Sequence, residues 1–460
     1  MTSFATSMQT AKSTICAWSE SANICEATLV RDAKGKVSIY LKPVAEQMFS
    51  ESALTTLKGD LTVALGHFFC QTIYVEDKEP WTADLFQRIK ELRTPEFPSG
   101  SGIQWFTIER GMAKKAWIQC NQQEDAAWSY ADTQLSSPQC SPKIVTFFSY
   151  KGGMGRTTAL VASALELIRQ RKNVLMIDTD LEAPGLSTFF FQEGDAGQII
   201  KGTVDYLLEK SLAPNATMNM TDYILELTSP NFREDSYGKL FLVSGGKLDG
   251  DFLPKLARID SQELVEGKLK ASLISLLMDC RIALQPSGGI DYILIDSRAG
   301  FHDMAGIVTA QLPHGVVLFG KDSYQSWFGI QRAVNTIATS QSDKPFAIIV
   351  DSGCGTNGLV SDQEKERFRR KAYDVFCSEY YGDDSAQPGL MAHGEAHDPV
   401  FIRYCPALSQ DIPLYDSNKS SDLVAQLADT PYKELVSRIM KEFGDESEGG
   451  SQNSGQEGAT

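Results

Sequence analysis

Nine cysteines in 460 residues, odd in number, irregular in spacing and without a C-x-x-C pair, exclude a disulfide framework and a zinc-ribbon site. They point to reduced thiols in a cytoplasmic protein. Basic charge is short: 43 Lys and Arg against 59 Asp and Glu leave a formal net charge of −16. So acidic a chain repels phosphate backbones and anionic headgroups on average, which argues against nucleic acid and membrane surfaces as general partners. No apolar run approaches the roughly 20 residues needed to span a bilayer, and the first 20 residues contain no apolar signal core. There is no internal repeat. Residues 444–460 hold four acids and no base, tyrosine or amphipathic stripe, and read as a disordered acidic tail. What is present is ample for globular structure. Hydrophobic residues make up 42% and aromatic residues 10%, which excludes wholesale disorder, and the length predicts two or three domains.

Two textures divide the chain. Residues 1–142 hold five of the six tryptophans: Trp18, Trp81, Trp105, Trp117 and Trp128. Residues 26–42 predict a hairpin, with EATLV and VSIYLK flanking a turn at 32–35. Residues 52–69 predict a helix with Leu54, Leu57, Leu61, Ala64 and Leu65 on one face, and 82–93 a shorter one. Residues 103–109 and 115–120 read as a further strand pair. This smaller α+β domain has no phosphate loop and no catalytic constellation. The turn-rich stretch 136–142 marks its expected end.

From residue 143 strands and helices alternate. Apolar runs at 143–149, 173–178, 239–245, 291–296, 315–320, 346–351 and 400–405 are strand-length. Helix-length segments lie at 157–171, 262–284, 323–339, 363–380 and 430–443. Continuously apolar strands belong in a sheet buried on both faces. Their alternation with helices predicts an α/β domain, residues 143–443, built on a doubly wound, mostly parallel sheet.

The strongest local signal is FFSYKGGMGRTTAL, residues 147–160. A strand runs into Lys151, Gly152, Gly153, Met154, Gly155, Arg156, Thr157 and Thr158, then into a helix. Glycines let backbone amides curl around a phosphate, and the helix start adds free donors and a partial positive charge. A cation at Arg156 can reach terminal phosphates, and the Thr157 hydroxyl can ligate Mg²⁺. A second signal is VLMIDTDLEAPGLS, residues 174–187, with Asp178 and Asp180 at the end of a strand. A third is DYILIDSRAGF, residues 291–301, in which four apolar residues lead into Asp296, the pattern of a Walker B carboxylate that holds Mg²⁺ through water.

Together these motifs, spread over residues 143–440, resemble the deviant phosphate loop, switch I and Walker B strand of the ParA/MinD family of dimeric P-loop ATPases. Lys151 matches that family's signature lysine. Arg156 departs from its loop lysine, and Ser297-Arg298-Ala299-Gly300 departs from its usual D-x-P-P-G continuation. The loop variant, DLEAPGL and IDSRAG look like one bacterial subgroup, the KGGVGR-type ATPases, in which the ATPase often follows an N-terminal segment of its own. The resemblance implies an ATP- and Mg²⁺-dependent hydrolase that works as a dimerising switch. Lys151 would reach the phosphates of the partner subunit. Arg156 and the amides of 152–155 would hold the β/γ phosphates. Thr157 would ligate Mg²⁺ with Asp178 and Asp296 nearby, and Asp180 would orient the attacking water. Arg298 serves either as an arginine finger or as the partner of an acid such as Glu182. The N-terminal domain would signal to an unidentified protein partner, in a bacterial multi-gene system of the defence type. Alternatives are a DNA-partitioning ATPase and a nucleotide sensor with little turnover, the latter favoured by Arg156. An amidoligase-like synthetase stays open. A tyrosine kinase of the related bacterial type lacks its tyrosine-rich tail.

Weaker signals remain. Asp351, at the end of 346–351, would accept hydrogen bonds from guanine more naturally than from adenine, but ATP is the expected nucleotide. Pro406 resembles the proline lining the base pocket in relatives. His393 and His397 have a metal-capable spacing but lie among glycines and a proline. The basic run 365–371 reads as a solvated helix face. The final helix is too short and too balanced in charge to be a membrane-targeting helix.

Overall fold

The computed structural model describes residues 2–44, 48–77, 79–95, 102–109, 114–118, 142–192, 199–263, 268–339, 344–354, 361–382 and 387–445. Packing divides the chain into two compact units, residues 1–112 and 113–460.

The first unit is a five-stranded sheet in the order β3-β2-β1-β5-β4. Its strands are β1 (Ile24–Arg31), β2 (Val37–Pro43), β3 (Phe69–Val75), β4 (Thr94–Pro95) and β5 (Gln104–Glu109). The expected hairpin is present, as β1 antiparallel to β2. Strand alternation sends Leu29, Ile39 and Leu41 to one face, where the helices Phe4–Ala17 and Glu51–Leu65 bring Ala11, Ile15, Leu57 and Leu61 onto them. Val30 and Tyr40 go to the other face, against Phe86 and Ile89 of the helix Pro80–Leu92.

The second unit is an eight-stranded sheet in the order β13-β12-β11-β6-β10-β7-β9-β8. Its strands are β6 (Lys143–Ser149), β7 (Val174–Asp178), β8 (Ile224–Glu226), β9 (Leu240–Val243), β10 (Tyr292–Asp296), β11 (Gly315–Gly320), β12 (Phe346–Cys354) and β13 (Val400–Arg403). Seven strands run parallel, and β8 is antiparallel to β9 on the edge. This is the α/β sheet the sequence predicts. β7 and β10 are buried along their whole length because helices cover both faces. Val145, Phe147 and Leu294 pack against the helices Arg156–Arg169 and Thr430–Glu442. Ile144, Leu175 and Ile293 face the helices Thr203–Leu212 and Lys268–Leu284. Phe148, Leu318 and Ile349 face the helices Tyr324–Thr339 and Asp362–Glu379. A parallel sheet puts the carboxyl ends of β6, β7 and β10 on one edge, so the three motif loops emerge together.

Some expectations need correction. Residues 115–118 form a helical turn, not a strand, and they belong to the second unit. Ala116 and Trp117 are both buried, which one turn of helix allows and an alternating strand does not. Packing therefore ends the first unit near residue 112, ahead of the expected boundary at 142. The turn-rich stretch at 136–141 lies outside the described residues. The strand partner of β5 in the hairpin region is β1, and the two are parallel. Of the helix expected over 262–284, residues 268–284 are helical as expected, and residues 264–267 lie outside the described residues. The acidic tail, outside the described residues from 446, does not begin loose at 444. Asp445 pairs with Lys143 at 2.5 Å and accepts from the Tyr292 hydroxyl at 2.6 Å.

Candidate functional site

β6 ends at Ser149, and a glycine loop carries the chain into the helix Arg156–Arg169. Gly153 (φ 71°) and Gly155 (φ 69°) adopt the left-handed conformation that the turn requires and that β-carbons oppose. A β-carbon on Gly152 or Gly153 would meet nothing within 4 Å, so the space over the loop is open. Gly155 caps the helix without a side chain, which leaves first-turn amides available to an anion. Two hydroxyls fix the loop: Ser149 Oγ donates to the Lys151 carbonyl at 2.8 Å, and Ser352 Oγ, from β12, donates to the Met154 carbonyl. Lys151 is half-buried, and its ammonium has no partner among the described residues.

The sheet register sets Asp296 directly beside Asp178, at the ends of the adjacent strands β10 and β7. Arg156 turns inward onto the acids. Its Nε donates to Asp296 Oδ1 at 2.6 Å, its Nη2 to Asp180 Oδ2 at 2.8 Å, and its Nη1 reaches Ser149 Oγ at 3.5 Å. Thr157 Oγ1 donates to the second oxygen of Asp296 at 2.7 Å. Asp178, fully buried, accepts from the amides of Asp180 (3.0 Å), Gly185 (3.1 Å) and Leu186 (3.1 Å), and so gathers the segment that follows β7. Burial and the neighbouring Asp296 push the Asp178 carboxyl well above its ordinary range, against those amide donors. Burial also raises Asp180, although Arg156 opposes it. Burial works against the Arg156 charge, but Asp296 and Asp180 outweigh it and hold the guanidinium protonated.

The segment after β10 crosses the loop. The Ser297 amide donates to the Phe147 carbonyl and the Gly300 amide to the Ser149 carbonyl, each at 3.2 Å. Gly300 has φ 82°, a turn that suits glycine. Arg298 pairs with Glu182, which ties this segment to the one after β7. Burial and the nearby Arg298 lower the pKa of His302.

Sequence reasoning missed an aromatic chain here. Trp117 lies 4.9 Å from Phe301 and 5.3 Å from Phe148, and Tyr150 lies 4.8 Å from Phe301 (ring centroids). Trp117 Nε1 donates to the His302 carbonyl at 2.7 Å, and the Lys114 amide donates to Asp303 at 2.7 Å. Nothing in KAWIQC marks this docking, since only tertiary packing distinguishes it from a strand.

Other candidates do not converge on the loop. Val350 and Ser352 face the loop side of β12, and alternation sends Asp351 to the opposite face with Ile349. There burial, Asp322 and Glu364 push Asp351 up to about 7. Pro406 lines a cavity beyond β13 with Arg403, Tyr404, Gln426 and Tyr432. His397 is buried with Nδ1 at 2.7 Å from the Tyr381 hydroxyl, whereas His393 is exposed beside Asp398. Among the described residues, no group of three His, Cys, Asp or Glu side chains forms a ready metal cage. In the basic run, Arg367 and Lys371 pair with Asp322, and Arg369 with Asp398.

No protein-family model and no curated protein matches the chain. Solved structures similar to it include pNOB8 ParA, at 15% identity over 65% of this chain and 99% of that one, with a TM-score of 0.46. A ParA family ATPase from Chlorobium tepidum shares 14% identity over 64% of this chain and 97% of its own (TM-score 0.39). The septum site-determining protein MinD from Pyrococcus horikoshii, complexed with Mg-ADP, shares 15% over 62% of this chain and 94% of its own (TM-score 0.37). Likeness this distant leaves the functional reading to rest on the residues themselves.

Proposed function

We propose that this protein is a cytoplasmic, Mg²⁺-dependent ATPase of the ParA/MinD type that acts as a dimerising switch. The observation that carries the reading is the convergence, at one sheet edge, of an open glycine loop, an uncapped helix start and the acids Asp178, Asp180 and Asp296. The donor set fits the implied ligands. Asp296 and Asp180 share a single guanidinium, Thr157 donates to Asp296, and Asp178 ends the neighbouring strand, so hard oxygen donors exceed the positive charge. Mg²⁺ characteristically takes one or two such groups plus nucleotide phosphates. Bound with nucleotide, Mg²⁺ would supply charge neutralisation at the phosphates.

The chain's own residues divide the remaining work. Amides from Gly152 to Thr158, with Met154 and Gly155 between them, cradle the phosphates. Arg156 and Lys151 bring positive charge, Lys151 toward the partner subunit's nucleotide. Thr157 and Asp296 hold the metal side. Asp178 anchors the segment that carries Asp180, and Asp180 orients the attacking water. Arg298, paired with Glu182, acts as a structural tie. Adenine is the proposed base. The N-terminal unit carries the signal to a protein partner, in a bacterial defence-type system that the resemblance of DLEAPGL and IDSRAG alone supports.

Turnover and molecular mass, measured together with ATP and with GTP, test the proposal. ATP should drive dimerisation in the wild type, Asp180→Ala should trap the dimer, and Lys151→Ala should prevent it. A monomer that does not turn over nucleotide under any of these conditions refutes the hydrolase. The engagement of Arg156 by two acids favours a second reading, a sensor that binds nucleotide with little turnover. Binding and dimerisation without hydrolysis would select it.

A further inference from the structure

We propose that Arg156 is a latch: its guanidinium spans Asp296 and Asp180 and exchanges Asp180 for phosphate as the site takes up a magnesium nucleotide. This rests on the proposed nucleotide site and adds its regulation. The two carboxylates belong to different elements. Asp296 ends β10 and is 1% exposed; Asp180 lies two residues beyond β7, on the segment that Asp178 gathers. Arg156 is 8% exposed and commits Nε to one acid and Nη2 to the other. It thereby fastens the segment around 180–186 to β10 and to the loop. Glu182 and Arg298 make a second tie on the solvent side.

The chemistry explains why arginine serves here. A planar fork can donate to two separate carboxylates at once, whereas the compact ammonium of a lysine sits at one point. The guanidinium is also the only cation hydrogen-bonded to these acids among the described residues. A divalent ion brought to Asp296 and Thr157 would face that positive charge directly. Terminal phosphate oxygens offer the fork an equivalent anionic partner. Exchange of Arg156 from Asp180 to phosphate would relieve the like-charge contact and free Asp180 for water. Loading the site and releasing the switch segment then become one event.

The test uses the full chain, with N-methylanthraniloyl-ADP as probe, a Mg²⁺ titration and amide hydrogen exchange in the nucleotide-free state. Asp180→Asn, nearly isosteric, removes the charge at the far end of the latch and leaves a neutral acceptor without a cavity. Arg156→Lys keeps the charge and loses the span. Both should raise exchange at residues 181–186 by about tenfold, with the helix Arg156–Arg169 unchanged. Asp180→Asn should also tighten probe binding by about tenfold, because the contact that holds Arg156 away from phosphate loses its charge. Wild-type exchange and affinity in Asp180→Asn overturn the latch while the nucleotide site stands. Arg156→Lys that weakens binding with no change in exchange also overturns it, by making Arg156 a plain phosphate ligand. A wild-type protein that binds no probe overturns the latch and the nucleotide site together.

Discussion

Removal of the Arg156 side chain isolates the energetics of the acid cluster. Arg156→Ala leaves Asp178, Asp180 and Asp296 close together at the sheet edge without the guanidinium that bridges two of them. Breaking a buried ion pair by deleting one partner costs about 3–5 kcal/mol. Asp180 keeps 15% of its side chain exposed, which places the expected cost near about 3 kcal/mol. For a unit of this size each kcal/mol is worth roughly 2 °C, so the melting temperature of the larger unit should fall by about 6 °C. The pH dependence follows from the direction of the shifts. Burial raises Asp178 and Asp180 above their ordinary 3.8 in the folded state, and loss of Arg156 raises Asp180 further. An acid whose folded pKa is raised destabilises the fold above that pKa and ceases to do so below its unfolded value. The deficit should therefore be largest at pH 8 and shrink as the pH falls toward 4. Circular-dichroism melts of the nucleotide-free chain at pH 8, 6.5 and 5 read it directly. A variant that melts within about 1 °C of wild type, or a deficit that grows on acidification, refutes the reasoning.

Three further substitutions probe the frame around the site. Gly306→Ala places a β-carbon 2.7 Å from Ala116 Cβ and 2.9 Å from Trp117 Nε1, so the docked turn must shift; a loss of about 1–3 kcal/mol and a red shift in the Trp117 contribution to fluorescence are expected. Asp351→Asn should raise the melting temperature at pH 8. With a folded pKa of about 7 against 3.8, the charge is a burden above pH 7, and the gain should fade through that pH and be lost near 4; an equal gain at pH 5 contradicts the assignment. Asp445→Ala strips the partner of the buried Tyr292 hydroxyl and of Lys143, and should cost about 1–3 kcal/mol in a denaturant titration.

The loop, Asp178, Asp180 and Asp296 were legible because each motif is local: a strand, a turn and, for the loop, a helix within 14 residues. Parallel strands then bring the three together without further instruction. The bridging contacts of Arg156 were not legible. They depend on the register that sets Asp296 beside Asp178 and on the path of residues 180–186, both fixed by tertiary packing. The turn at 115–118 was read as a strand because its apolar pattern is too short to separate the two periods; tertiary contacts such as those with Gly306, Phe301 and the His302 carbonyl decide between them. Asp445 sits in a polar, glycine-rich stretch whose composition hides two specific bonds. Strand alternation puts Asp351 on the face of Ile349, but tertiary packing is what shows that this face lies opposite the loop side marked by Ser352.

Calorimetric titration of the full chain with ATP, with and without Mg²⁺, tests the central claim most directly. One site per chain is predicted, strengthened by Mg²⁺ and weakened by Thr157→Ala, which removes the hydroxyl that donates to Asp296. No saturable site at about millimolar ATP, or a site indifferent to both Mg²⁺ and Thr157, would contradict a nucleotide-binding role for the glycine loop.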